Sequence, residues 1–237
     1  MLRTLWTAVV VVAVTIPLAT ATMLVALIRS NARLIDAIVR LWARAIVHAA
    51  GIELRTENTE RIDRQQRYII VANHYSYFDI PCIFAAIPQP IRFMAKVSLF
   101  KIPIFGWAIG RAGFIPIDRK NRRTAVKSFE LAVERIRKGN TVVVFPEEGR
   151  SRERAMREFQ RGGFLLALRS QLPILPVAID GTYDVFSAHA KKVTPGPVTI
   201  RVGTPIPTEG LTVREKDRLL RESRAQILSM LGMKDEA

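Results

Sequence analysis

Residues 68–87 read YIIVANHYSYFDIPCIFAAI. Tyr68 to Ala72 are apolar β-formers without polar alternation, the pattern of a strand buried on both faces. The run stops at Asn73-His74. Beyond Asp79 a second apolar stretch, Ile80 to Ile87, reads as a helix that ends at the breaker Pro88-Gln89-Pro90. A buried strand that turns through polar residues into a helix is the repeating unit of a parallel α/β sheet. In such sheets ligands sit beyond the carboxyl ends of the strands. His74 and Asp79 fall at such an end.

The alternation continues in both directions. Residues 51–55 read as a short strand and 56–66 as a polar connection. Ile91–Ala95 is a strand, and Lys96 to Gly110, with Pro103 inside, is a loop or broken helix. Gly113–Ile117 is a strand. A helix over 121–138 carries Ala125, Phe129, Ala132, Val133 and Ile136 on one stripe and stops at Gly139. Thr141–Phe145, Ile174–Ile179 and Val198–Val202 are strands, and 162–170 is a helix. Thr212-x-x-Glu215 is a capping box that opens the last helix. The predicted fold class is α/β: a mixed, mostly parallel sheet flanked by helices and preceded by an N-terminal membrane-associated helical pair.

That pair occupies residues 1–50. No charge interrupts the chain between Arg3 and Arg29, a span long enough to cross a hydrocarbon core of about 30 Å. It reads as an anchor; a cleavable signal peptide, with Ala-Thr-Ala at 19–21 as the mimic of a cleavage site, is the competing reading. In the following segment Arg33, Asp36, Arg40, Arg44 and His48 recur at helical spacing, and Asp36 is placed to pair with Arg40. Such a helix either lies in a membrane interface or packs on the globular body. The arginines that follow the anchor put the second domain, residues 51–237, on the cytoplasmic face.

The 237-residue chain has 36 Lys and Arg against 21 Asp and Glu, a formal net charge of +15. Such a surface attracts anionic headgroups, phosphorylated substrates or nucleic acid. Aromatics are 8% and lack the interleaving of a single-strand binder, which argues against nucleic acid. The lone cysteine, Cys82, excludes an internal disulfide or a multi-cysteine metal site.

Chemistry gathers at strand ends. A histidine acts as a base when a carboxylate holds its Nδ1–H and leaves Nε2 for a hydroxyl, and His74 with Asp79 fits that need. Phe145-Pro146-Glu147-Glu148-Gly149-Arg150-Ser151 leaves another strand and puts an arginine in a turn suited to phosphate. GFIPIDR (113–119) places Arg119 at a third end, and LPILPV (172–177) is an apolar strand bracketed by prolines. Taken singly, each has an ordinary explanation: a solvated histidine, a charged turn, a structural strand. Cys82 and Ser76 read as a core residue and a cap rather than nucleophiles. His48 and His189 have no partner pattern.

In order, these blocks resemble those of the glycerolipid acyltransferases of the 1-acyl-glycerol-3-phosphate acyltransferase type. NHYSYFD matches that family's N-H-x4-D, GFIPIDR its second block, FPEEGRS its F-P-E-G-T-R-S and LPILPV its fourth. MAKVSLFKIPIFG between the first two is also similar, and the resemblance covers roughly residues 50–205. It implies a fatty acyl transfer to the free hydroxyl of lysophosphatidate, giving phosphatidate, with His74 as base and Asp79 as its orienter. It places Arg119, Glu147, Gly149, Arg150 and Ser151 at the acceptor headgroup, with Lys96 and Arg161 as further phosphate candidates. It implies no metal and no cofactor, with acyl-CoA or acyl carrier protein as co-substrate and membrane lipids as surroundings. Another lysolipid, such as lyso-ornithine lipid, is the alternative acceptor. The alternative of a different class is a basic membrane-binding protein without catalysis. The chain departs from the third block at Glu148 and Gly149, where the family has Gly and Thr. Two registers are therefore open, with either Glu147 or Glu148 as the family's glutamate.

Overall fold

The computed structural model describes residues 1–28, 32–117, 122–137 and 139–234. Seven strands form one sheet: β1 (Ile52–Glu57), β2 (Ile69–Ala72), β3 (Ile91–Lys96), β4 (Ile115–Ile117), β5 (Thr141–Val144), β6 (Ile174–Asp180) and β7 (Gly196–Val202). Their order is β1-β7-β6-β2-β5-β3-β4. The pairs β6–β2, β2–β5, β5–β3 and β3–β4 are parallel, as is β1–β7, whereas β6 and β7 run antiparallel. The sheet is thus mixed and mostly parallel.

The central strand shows why. Ile69, Ile70, Val71 and Ala72 are all fully buried. Ile70 and Ala72 face α2 (Ala32–Ala50) and α3 (Asp79–Ala86), while Ile69 and Val71 face α5 (Arg122–Arg137), α6 (Gly162–Ser170) and α8 (Lys216–Leu231). Apolar side chains on both faces exclude water from both, and burying each Ile or Val contributes about 1.5–3 kcal/mol. The segment that leaves this strand, Asn73-His74, therefore starts from a fixed point. In β6, Pro176 is tolerated because its ring nitrogen lies on the β7 side, where the ladder ends: β7 stops at Val202 and Gly203 N–H closes on Pro176 O at 2.8 Å.

The N-terminal helix α1 (Leu2–Ile28) contains Pro17 and, among the described residues, is the one helix long and apolar enough to cross a membrane. Leu5, Val9, Val12, Ile16, Leu24 and Leu27 on it are exposed. Its other side is tied to the body. The Thr7 hydroxyl donates to Ala49 O at 3.1 Å, and Trp42 Nε1–H donates to Thr15 Oγ1 at 3.0 Å. Helix α2 buries Ala43, Ile46, Val47 and Ala50 in the core of the sheet.

The expected Asp36–Arg40 pair is replaced. Asp36 accepts from Arg92 at 2.6 Å, and Arg40 donates to Ile87 O (2.9 Å) and Gln89 O (2.8 Å). Whereas Arg33, Arg44 and His48 of α2 are exposed, its polar residues Asp36 and Arg40 are turned toward the body. There Arg40 satisfies carbonyls at the C-terminal end of α3, which a helix cannot satisfy for itself. The last helix also opens differently from expectation. Thr212 Oγ1 accepts from Arg214 N–H at 3.4 Å, but Glu215 turns to Arg218 at 3.0 Å instead of back to Thr212. A 3-10 turn over Val213–Glu215 results, and α8 begins only at Lys216. Lys96–Gly110 resolves into a 3-10 turn (Val97–Lys101) and α4 (Phe105–Arg111). A short helix that the sequence pattern does not announce, α7 (Thr182–Phe186), follows β6.

Candidate active site

The carboxyl ends of β6, β2, β5 and β3 lie side by side, and the polar blocks meet there. Asn73 is fully buried and acts as a false strand residue: its Nδ2 donates to Ile179 O at 2.9 Å and its Oδ1 accepts from Ile179 N at 2.8 Å. This pins the exit of β2 to β6. The next backbone unit is held from the β5 side. His74 N–H donates to Glu147 Oε1 at 2.7 Å, and His74 O accepts from Ser151 N–H at 2.9 Å. The imidazole lies flat on Phe145, with centroids 4.0 Å apart and planes 13° apart.

Nδ1 of His74 is 2.7 Å from Asp79 Oδ2. The same oxygen accepts from the N–H groups of Tyr75 and Ser76, both at 2.8 Å. The other oxygen, Oδ1, accepts from the Thr182 hydroxyl at 2.6 Å. Asp79 is wholly buried, whereas the His74 side chain keeps 14% of its surface. A carboxylate facing Nδ1 fixes the proton on that nitrogen and leaves the lone pair on Nε2. That arrangement is able to accept a proton from a hydroxyl placed at Nε2.

The third block divides into a buried and an exposed half. Glu147 is 2% exposed, and its second oxygen accepts from Arg157 N–H at 2.8 Å. Glu148 is exposed and has φ +56, a left-handed conformation that a glycine adopts freely. Glu148 thus takes the left-handed position that favours glycine, and Glu147 is the carboxylate turned inward. Gly149 does not need a positive φ; a Cβ there would lie 3.0 Å from an Arg157 nitrogen. The guanidinium of Arg150 lies 3.5 Å above the Tyr77 ring, so the first and third blocks also touch through side chains. Ser151 is buried and works through its backbone on His74.

Lys96 is exposed at the end of β3, in register with Ile117 of β4. Arg119 lies outside the described residues. Arg161 is engaged elsewhere, its Nε donating to Asp217 of α8 at 2.9 Å. Ser76 donates to Phe186 O (2.6 Å) and accepts from Phe78 N–H (3.1 Å), so its hydroxyl is committed to the loop. Cys82 is buried, and burial, then the Asp79 charge, push its thiol far above the ordinary range. Neither offers a nucleophile. The contributor that sequence reasoning missed is Thr182. The signal for it was slight: a glycine and a hydroxyl directly after a buried strand, Asp180-Gly181-Thr182.

Burial pushes the Glu147 carboxyl up to about 7, against the pull of the N–H bonds from Arg157 and His74. An unfolded glutamate titrates near 4.5. Between these values the folded protein keeps a proton that the unfolded chain has lost, so stability falls as pH rises through that window. Glu147→Gln removes this titration. Its stability relative to the wild type should rise by up to roughly 3 kcal/mol between pH 4.5 and 7.5, read from urea midpoints. A constant difference between the two proteins would place the titration elsewhere.

Comparison with known proteins gives consistent matches. A family model described as Acyltransferase matches residues 53–180. An uncharacterized acyltransferase, C1851.02, of Schizosaccharomyces pombe is 33% identical over 180 residues, 75% of this chain and 64% of that protein. Human 1-acyl-sn-glycerol-3-phosphate acyltransferase alpha is 31% identical over 194 residues, 81% of this chain and 69% of the human one. The chain therefore spans about two thirds of the length of these relatives. The crystal structure of the 1-acyl-sn-glycerophosphate acyltransferase PlsC from Thermotoga maritima superposes with a TM-score of 0.85. It covers 97% of this chain and 93% of that one at 24% identity.

Proposed function

This chain belongs to the acyltransferase family, and on that premise we propose that it acylates the free hydroxyl of 1-acyl-glycerol-3-phosphate to give phosphatidate. The observation that carries the reading is the buried Asp79 carboxylate held on Nδ1 of a partly exposed histidine, at the ends of parallel strands.

Nε2 of His74 takes the proton of the acceptor hydroxyl as its oxygen attacks the thioester carbonyl. The negative Asp79 stabilises the imidazolium that forms. The tetrahedral intermediate collapses with rupture of the C–S bond, and the imidazolium returns the proton to the leaving thiolate. One ester is made, one thioester is lost, and His74 ends as it began. Holding both reactants beside the base supplies the remainder of the acceleration.

Arg150, flattened on Tyr77, meets the acceptor phosphate together with Arg119 and Lys96. Glu147 and Ser151 serve the same site by holding the His74 backbone, and Gly149 leaves room beside Arg157. The donor is an acidic thioester, acyl-CoA or acyl carrier protein, drawn by the basic surface. Residues 1–50 hold the enzyme at the membrane, with residues 51–237 carrying catalysis on the cytoplasmic face.

The test is a panel of lysolipid acceptors against both donors, with release of free thiol followed in purified membranes. Lysophosphatidate should give the highest kcat/KM. Arg150→Ala should raise its KM by about tenfold or more, the scale of a lost charge-assisted bond. Turnover confined to a lysolipid without a phosphate monoester, such as lyso-ornithine lipid, would displace this acceptor assignment and leave the acyl transfer standing.

A further inference from the structure

We propose that Thr182 is a positioning residue for the acyl transfer, its hydroxyl fixing the Asp79 carboxylate in the orientation that serves His74. The proposal rests on the reading of His74 as base and Asp79 as its orienter.

The partners of Asp79 are unevenly divided. His74 Nδ1 and the N–H groups of Tyr75 and Ser76 converge on Oδ2, and all come from the five residues ahead of Asp79. Three bonds to one oxygen hold that oxygen but leave the carboxylate plane free to swing about it. The second oxygen is held by Thr182, 103 residues further along the chain, at 2.6 Å. Both side chains are wholly buried. A hydroxyl donating to an ionised carboxylate at this length is a charge-assisted bond, stronger than a neutral one.

Thr182 is itself held in place. It follows Gly181, whose φ of +94 turns the chain sharply out of β6 into α7. The far end of α7 is tied to the histidine loop: Ser76 donates to Phe186 O at 2.6 Å and pairs across an antiparallel bridge with Ser187. The segment from Gly181 to Ser187 is therefore fastened to the catalytic loop at both ends. It forms a further functional stretch beyond the four recognised blocks.

Loss of the hydroxyl removes that donor from Oδ1. The carboxylate then becomes more basic, grips the imidazolium more tightly, and lets the base regenerate only at higher pH. The titratable groups that sense the Asp79 charge, besides His74, are Tyr75, Cys82 and Glu147. All three are present in every variant compared, and Thr182→Ser keeps the Oδ1 bond, so the serine variant is the reference for their contribution.

Thr182→Val removes the hydroxyl at similar volume, and Thr182→Ser keeps it. In Thr182→Val, kcat should fall roughly ten- to a hundredfold with KM for lysophosphatidate nearly constant, as expected when a buried charged group loses one bond. The acid limb of the kcat/KM profile should move up by about half to one pH unit. Thr182→Ser should restore both. If the valine variant does not fold, Thr182→Ala serves the same comparison. A loss of kcat with an unmoved acid limb, or one that serine does not rescue, overturns the proposal and leaves Thr182 a packing residue. Failure of the underlying reading is seen separately: full turnover in His74→Ala would remove the base itself, whatever Thr182 does.

Discussion

His74→Ala should lower kcat/KM for thioester-dependent acylation by about 10²–10⁴, the range over which a positioned general base contributes. Expression and fold should persist. The contacts that anchor position 74 are main-chain ones, from Glu147 and Ser151, and alanine keeps both. What the fold loses is the stack on Phe145, worth about 0.5–1.5 kcal/mol, and the Nδ1 bond to Asp79, whose Oδ2 still accepts from the Tyr75 and Ser76 N–H groups. Asp79→Asn is the companion variant. Its amide oxygen still accepts from Nδ1–H and the two backbone N–H groups, and its NH2 faces a Thr182 hydroxyl that turns to accept. Geometry survives but the charge opposite the imidazolium is gone. Turnover should therefore fall by a comparable factor without loss of substrate binding. The discriminating measurement is the pH profile: the acid limb of the wild type should be absent in His74→Ala. Turnover within about tenfold of the wild type in His74→Ala would show that another group takes the proton.

How far the sequence leads depends on the distance over which each feature is decided. Tyr68–Ala72 reads correctly because a strand covered on both faces is apolar at every position, whatever lies on it. The His74–Asp79 pair is legible because five residues and one turn of chain suffice to close it. Which of Glu147 and Glu148 turns inward is not legible, since both are carboxylates in one turn. The backbone decides it, by placing 148 at φ +56 and turning 147 inward. Asp36 shows the opposite failure. Helical spacing offers Arg40 as its partner, but Arg92 on β3 reaches it across 56 residues, and Arg40 is taken by carbonyls at the end of α3. Arg161 follows the same rule, drawn to Asp217 from α8. Local arithmetic finds local partners; a charge near a sheet meets side chains from strands that the sequence places far away.

Gly181→Ala should be the most damaging glycine substitution near the site. Gly181 has φ +94 and ψ −19, a conformation that costs an L-residue about 1–3 kcal/mol. An added Cβ would also lie 2.3 Å from Pro197 O and 3.3 Å from Val198 Cα. These are backbone atoms of β7, which runs antiparallel to β6 and cannot rotate aside, so overpacking adds a further ~1–3 kcal/mol. Gly162→Ala is the control. Gly162 opens α6 with open space around its Cα, and alanine there should be neutral or stabilising by up to about 1 kcal/mol. In urea unfolding Gly181→Ala should thus fall several kcal/mol below Gly162→Ala, which stays at or above the wild type. The second consequence is functional. Any relief of the clash moves Thr182, the next residue, away from a carboxylate that it now meets at 2.6 Å. The folded fraction of Gly181→Ala should consequently show the lowered kcat and raised acid limb of Thr182→Val, whereas Gly162→Ala keeps the wild-type profile. Wild-type kcat per folded molecule in Gly181→Ala would mean that the turn stabilises the sheet without setting the site. The same glycine that lets β6 leave the sheet is then also what aims Thr182 at Asp79.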